Sequence, residues 1–177
     1  MRALIVYESM YGNTHVVADH IADGLRSHFE TEVVPVEQAT PERMQDVQLV
    51  VVGGPTHVHS LSSEKTREAA MEAAHKPDAD VALDPDAEGE GLREWFHHVA
   101  EVTNAGAAAF DTRIDAPSWI TGRASKGIGR RLTHLGYDLV ADPESFLVDK
   151  ENHLLPGEAE RAVAWGAALA LSLAANP

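Results

Sequence analysis

Residues 8–14, Glu8-Ser9-Met10-Tyr11-Gly12-Asn13-Thr14, separate a strand-like run from a helix-like one. Before them, residues 3–7 (Ala-Leu-Ile-Val-Tyr) are almost continuously apolar, the pattern of a strand buried on both faces of a parallel sheet. After them, Val17, Ile21, Leu25 and Phe29 recur every four residues and mark one face of a helix. The seven residues between are mostly small, hydroxylic or amidic, with Gly12 where the backbone turns tightly. A loop feeding a helix N-terminus presents free N–H groups and the positive end of the helix dipole. It therefore attracts an anion, most often phosphate.

Working outward, the 177 residues are expected to form one domain, 1–177, with a core of ordinary size. The formal charge of −14 repels nucleic acid and anionic lipid, so neither is expected as a partner, and it favours cationic partner surfaces. There is no cysteine, which excludes disulfides, thiolate metal sites and cysteine nucleophiles. The N-terminus reads as a strand rather than a signal peptide, and no segment reads as a membrane span. A cytoplasmic location is the expectation.

A second strand is expected at 31–36, with Pro35 favouring an outer position in the sheet, and a short polar connection at 41–46. The most apolar strand, 47–52, is expected to stop at Gly53-Gly54-Pro55 and lead into a loop at 53–63. Ser62 or Ser63 caps a helix to about residue 75. Residues 76–90 read as an exposed acidic excursion, and 91–102 as a helix with its apolar side on Leu92, Trp95, Phe96 and Val99. A fourth strand at 107–110 precedes a loop over 111–124, and a basic helix over 126–135 ends at Gly136. The last strand comes in two pieces, 137–140 and 145–148, and an alanine-rich helix at 158–174 follows. Five strands alternating with helices predict an α/β, doubly wound parallel sheet. Ligands of such sheets lie beyond the carboxyl ends of the strands, where the loops 8–14, 53–63 and 111–124 converge.

These residues resemble the flavodoxin-like family. Ser9-x-Tyr11-Gly12-Asn13-Thr14 is similar to the flavodoxin phosphate loop, Thr/Ser-x-Thr-Gly-x-Thr, and Gly53-Gly54-Pro55-Thr56 to the start of a loop that covers one flavin face. The order of elements matches over nearly the whole chain. The resemblance implies a three-layer fold with a five-stranded parallel sheet in the order 2-1-3-4-5. It also implies non-covalent FMN, with the phosphate on Ser9, Met10, Tyr11, Gly12, Asn13 and Thr14. The ring system would lie between Pro55, Thr56, His57, Val58 and His59 on one side and Asp111, Thr112, Arg113 and Trp119 on the other. No Lys or Arg lies within 9–14, so backbone N–H groups, the Ser9 and Thr14 hydroxyls and Asn13 would carry the phosphate. A Walker loop is absent, and Gly53-Gly54 stands where a receiver domain needs an Asp.

Departures from the flavodoxin pattern bear on mechanism. Ser-Met-Tyr-Gly at 9–12 is closer to the flavodoxin-related NAD(P)H:quinone reductases. No Trp follows the third strand; His57 and His59 are the candidates there, for packing against the flavin or a charge near it rather than for a metal. No Gly lies between Thr56 and Ser60, and Val58 at positive φ would cost about 1 kcal/mol or more, so weak stabilisation of one-electron-reduced flavin is expected. Trp119 is expected either to stack on the flavin or to anchor a long loop. The basic residues Arg123, Lys126, Arg130 and Arg131 read as a solvated face or as a local site for an anionic cofactor or partner. Three functions follow: an FMN-binding electron carrier serving a redox partner protein, an FMN-dependent oxidoreductase using NAD(P)H and a small acceptor, or a flavin-free interaction module. The absence of an evident nicotinamide-binding insertion favours the carrier.

Overall fold

A computed structural model describes residues 1–57, 60–76, 82–99 and 105–174. The strands are β1 (Arg2–Tyr7), β2 (Glu30–Pro35), β3 (Leu49–Pro55), β4 (Gly106–Ile114), β5 (Asp138–Leu139) and β6 (Glu144–Val148). All pair in parallel in the order β2-β1-β3-β4-β5, with β6 on β4 as well. β5 pairs with residues 106–107 of β4 and β6 with 110–114, so the two are halves of one interrupted fifth strand, as the sequence pattern predicts.

The helices are α1 (Asn13–Leu25), α2 (Pro41–Met44), α3 (Glu64–Ala74), α4 (Leu92–Trp95), α5 (Ser118–Thr121), α6 (Ala124–His134) and α7 (Glu158–Ala174). Successive strand residues point to opposite faces. Leu4, Val6, Val50, Val52, Ala107 and Ala109 form one buried cluster with Trp95, Ile128 and Leu132 of α4 and α6. Ala3, Ile5, Leu49, Val51, Ala108 and Phe110 form the other with Val17, Ile21, Leu25 and Leu169 of α1 and α7. Both faces are covered, which is why residues 3–7 of β1, 49–52 of β3 and 107–110 of β4 are apolar without interruption, while the outer β2 is not. Where α1 crosses α7 the backbones nearly touch: a Cβ on Gly24 would strike the Val163 carbonyl, and one on Gly166 the Ile21 carbonyl. Among the described residues no helix is long and apolar enough to cross a membrane.

Four expectations change. β3 does not stop at Gly53 but continues through Pro55, because residues 53–55 stay paired with Phe110, Asp111 and Thr112 of β4; Gly53 is glycine because the Phe110 ring fills the space its side chain would need. β4 likewise continues to Ile114, so Asp111, Thr112 and Arg113 are strand residues laddered to β3 and β6, with the connecting loop beginning after them. The helix expected at 91–102 is four residues long, Leu92–Trp95, and residues 100–104 lie outside the described residues. The acidic excursion is not wholly exposed: Ala87 and Asp84 are buried, and the Asp84 N–H donates to the Met10 carbonyl at 2.8 Å. Ser63, rather than Ser62, caps α3 in a reciprocal box with Thr66.

Candidate functional site

The cleft at the carboxyl ends of β1, β3 and β4 is built on α1. Gly12 stands at φ +89°, a conformation that costs other residues, and its N–H is accepted by the Ser9 hydroxyl at 3.1 Å. Among the described residues no side chain caps the N-terminus of α1, and its first turn holds no acidic residue, so its first-turn N–H groups are left for another acceptor. The Thr14 and Thr112 hydroxyls meet at 2.8 Å, joining the first loop to the end of β4. Asn13 donates through Nδ2 to the Asn152 carbonyl at 2.6 Å, bringing the turn after β6 to the same place. Together these enclose a cavity of about 130 Å³.

Ser9, Met10, Tyr11, Asn13, Thr14, Pro55, Thr56, His57, Thr112 and Arg113 all line this cavity. Gly12 shapes the loop from behind. Val58 and His59 lie outside the described residues. Asp111 is fully buried behind the cleft, where one carboxylate oxygen accepts from the Ser125 N–H at 2.7 Å and steadies the start of α6. Its backbone belongs to the β4 ladder. Trp119 is 82 % exposed on α5, so it anchors no loop. Arg113 performs that task instead, donating to the Ala116 carbonyl at 2.7 Å and reaching the Thr121 hydroxyl at 3.4 Å.

His57 holds its loop by exchanging backbone hydrogen bonds with Ser60. Its Nε2 is buried and has no partner among the described residues. Burial pushes the imidazole below its ordinary pKa against an opposing pull from Glu8, so the ring at neutral pH is an uncharged hydrogen-bonding group. Glu8 is itself buried; it accepts from the Leu92 N–H at 2.8 Å and from the Ser62 hydroxyl, tying the loops after β1 and β3 to α4.

Sequence reasoning missed two contributors. Asn152, at φ +62°, follows Asp149-Lys150-Glu151, a turn-forming run whose link to the first loop only the fold reveals. Asp84 returns from the acidic excursion to place Oδ2 3.7 Å from where a Gly12 Cβ would stand. That oxygen also lies 3.3 Å from His15 Nδ1, while the Tyr7 hydroxyl donates to Asp86 at 2.7 Å. The His15, Asp84 and Asp86 ligand atoms lie within 4.8 Å of one another, the closest such group among the described residues to a metal-binding arrangement. Burial and the Asp86 hydrogen bond push the Tyr7 phenol well above its ordinary pKa, so it stays a donor.

Residues 4–68 match the family model described as a flavodoxin domain. No curated protein matches the sequence. Among solved structures, a flavodoxin from the domain Archaea superposes with a TM-score of 0.66 at 16 % identity, over 98 % of this chain and 99 % of that one. Oxidised flavodoxin 1 from Bacillus cereus gives 0.63 at 18 %, over 96 % and 97 %. A WrbA-like flavodoxin protein from Agrobacterium tumefaciens gives 0.63 at 14 %, over 99 % of both chains. The fold is flavodoxin-like.

Proposed function

We propose that this flavodoxin-like chain binds FMN without a covalent bond and works as an electron-transfer protein. The observation that carries the reading is the uncapped N-terminus of α1 opening into a cleft lined by Ser9, Asn13, Thr14 and Thr112. Those groups suit a phosphate, because N–H donors and hydroxyls can satisfy several of its oxygens without a basic side chain. The orphaned His57 Nε2 supplies a further polar atom that a ligand would satisfy. A cavity of about 130 Å³ takes a phosphate-sized group, so a tricyclic ring would extend beyond it. FMN, when bound, takes up and returns one or two electrons. The chain's part is to hold it: Thr14 and α1 at the phosphate, His57 as a neutral hydrogen-bonding group, Arg113 keeping the outer loop in place.

The charge of −14 disfavours extra negative charge in the site and steers cationic partner surfaces towards the molecule. A redox partner protein is the expected exchange partner. The oxidoreductase alternative, with NAD(P)H as donor, rests on Tyr11, which is half-buried over α3 with its hydroxyl donating to the Ala70 carbonyl at 3.3 Å. The absorbance spectrum of the purified protein tests the reading: bands of bound oxidised flavin support it, while no flavin bound after FMN addition leaves only an interaction module. Rapid reduction of the loaded protein by NADPH alone would favour the enzyme over the carrier.

A further inference from the structure

Outside the cleft, the charge is unevenly distributed. The chain has 28 acidic and 14 Lys and Arg side chains, yet one concavity between α4 and α6 is lined by Arg93, His97, Arg130, Arg131 and His134. It measures about 400 Å³, and no described lining residue is acidic. Phe96 and Leu135 supply its apolar part. Elsewhere Arg26, Arg43, Arg67 and Arg161 each sit against a carboxylate, and Arg2, Arg113 and Arg123 donate to carbonyl or hydroxyl oxygens. Among the described residues none of the three arginines gathered in the groove meets a carboxylate.

Their hydrogen bonds do not neutralise them. Arg93 donates to the Leu61 and Ser62 carbonyls at 2.9 and 3.0 Å, and Arg131 to the Gly127 carbonyl at 3.1 Å. Such bonds fix the guanidinium groups but leave their charge in place. Arg131 also lies 5.9 Å from the Phe96 ring centroid, which holds it along the groove wall. Burial and its cationic neighbours Arg93 and Arg130 pull Arg131 below the ordinary arginine value, a sign that positive charge is concentrated there. The C-terminal dipole of α6 accounts for Arg131 and His134, which lie in its last turn. It does not account for Arg93 and His97, which come from another segment to the same concavity.

We propose that this groove binds a small, multiply charged anion of the phosphate-ester class. Like charges gathered on a fold are unfavourable unless a counter-charge joins them, and here the counter-charge would come from the ligand. Arginine forks match phosphate oxygens in pairs. The concave shape suits a compact molecule, and Phe96 and Leu135 offer a place for its organic part. None of these residues lines the cleft at α1, so the groove is a second site whether or not FMN binds the first.

The test titrates inorganic pyrophosphate, and separately ADP, into the full chain, with calorimetry and amide NMR shifts as readouts. Saturable binding at low salt is expected, with shifts at residues 93–97 and 127–135, weakening as salt screens the charges. Arg130 is exposed and makes no hydrogen bond or salt bridge among the described residues, so Arg130→Gln will fold; it should weaken binding about five-fold or more, and Arg130→Lys less. Tighter binding of ADP than of pyrophosphate would place the organic part on Phe96 and Leu135. No saturation below about 10 mM, shifts confined to residues 9–15, or equal affinity in Arg130→Gln would each overturn the proposal. So would binding of an oligoglutamate peptide without pyrophosphate binding, which would make the groove a protein-docking surface.

Discussion

The hydroxyls of Thr14 and Thr112 lie 2.8 Å apart, although they are 98 positions apart in sequence and β3 lies between β1, which leads towards Thr14, and β4, which carries Thr112. Either can donate, so the pair can turn a hydrogen towards a ligand oxygen while remaining bonded. Thr14 is also the second residue of α1, in the turn whose N–H groups no side chain caps among the described residues. Replacing it with Val keeps the shape and removes the hydroxyl. A hydrogen bond to a charged group contributes roughly 1.5–3 kcal/mol, so Thr14→Val should weaken FMN binding about 10- to 100-fold. Thr112→Val should do less, and Thr112→Ser little. Quenching of flavin fluorescence measures all three, and an unchanged affinity in Thr14→Val would remove this loop from the phosphate site.

His57 makes stability depend on pH. Its folded pKa lies below the ordinary value of 6.5, so between the two the unfolded chain binds more protons. Its contribution is therefore complete above pH 6.5 and is lost as pH falls towards the folded value. The urea midpoint of the wild type should fall more steeply below pH 6.5 than that of His57→Gln. Parallel profiles would show that the ring is protonated in the folded protein as easily as in the unfolded one.

The sheet was legible because each strand buried on both faces must be apolar, and β1 and β3 announce this at 3–7 and 49–52. The first loop was legible because Gly12 and its polar neighbours have no reason to interrupt such a pattern except a turn. Pairwise fit was not legible. Gly53 looked like a strand end, yet it is glycine because Phe110 lies across it. Asp84 looked like one more solvated acid, and only the return of its segment to Met10 shows that it is buried. From sequence Trp119 could either stack on a flavin or anchor its loop; Arg113 holds that loop instead, and the indole stands in solvent. Residue type predicts burial well in a strand and poorly in a long connection.

Gly166 offers a test of packing against propensity. In an exposed helix, Gly→Ala is stabilising by about 1 kcal/mol. At this crossing the added Cβ would meet the Ile21 carbonyl, which belongs to the backbone of α1 and cannot swing aside. Gly166→Ala should therefore lower stability, by about 1–3 kcal/mol net. Chemical denaturation measures it. A more stable variant would mean that α1 and α7 are farther apart than this packing requires.

Asp84 bears on which flavin is preferred. Its side chain is 1 % exposed and stands beside Gly12, where the proposed phosphate would bring two more negative charges. His15 offsets it only when protonated. Like unit charges within about 10 Å at an effective dielectric of about 20 repel by on the order of 1–2 kcal/mol before screening. Riboflavin has the same ring and sugar chain but no phosphate, so the ratio of FMN to riboflavin affinity isolates this repulsion. Asp84→Asn keeps the side-chain shape and the oxygen that accepts from the Asp86 N–H. It should raise that ratio by roughly tenfold, the equivalent of about 1.4 kcal/mol. Equal losses for both flavins would show that Asp84 acts only by holding residues 82–87 against the loop, and an unchanged ratio would place the phosphate beyond its reach.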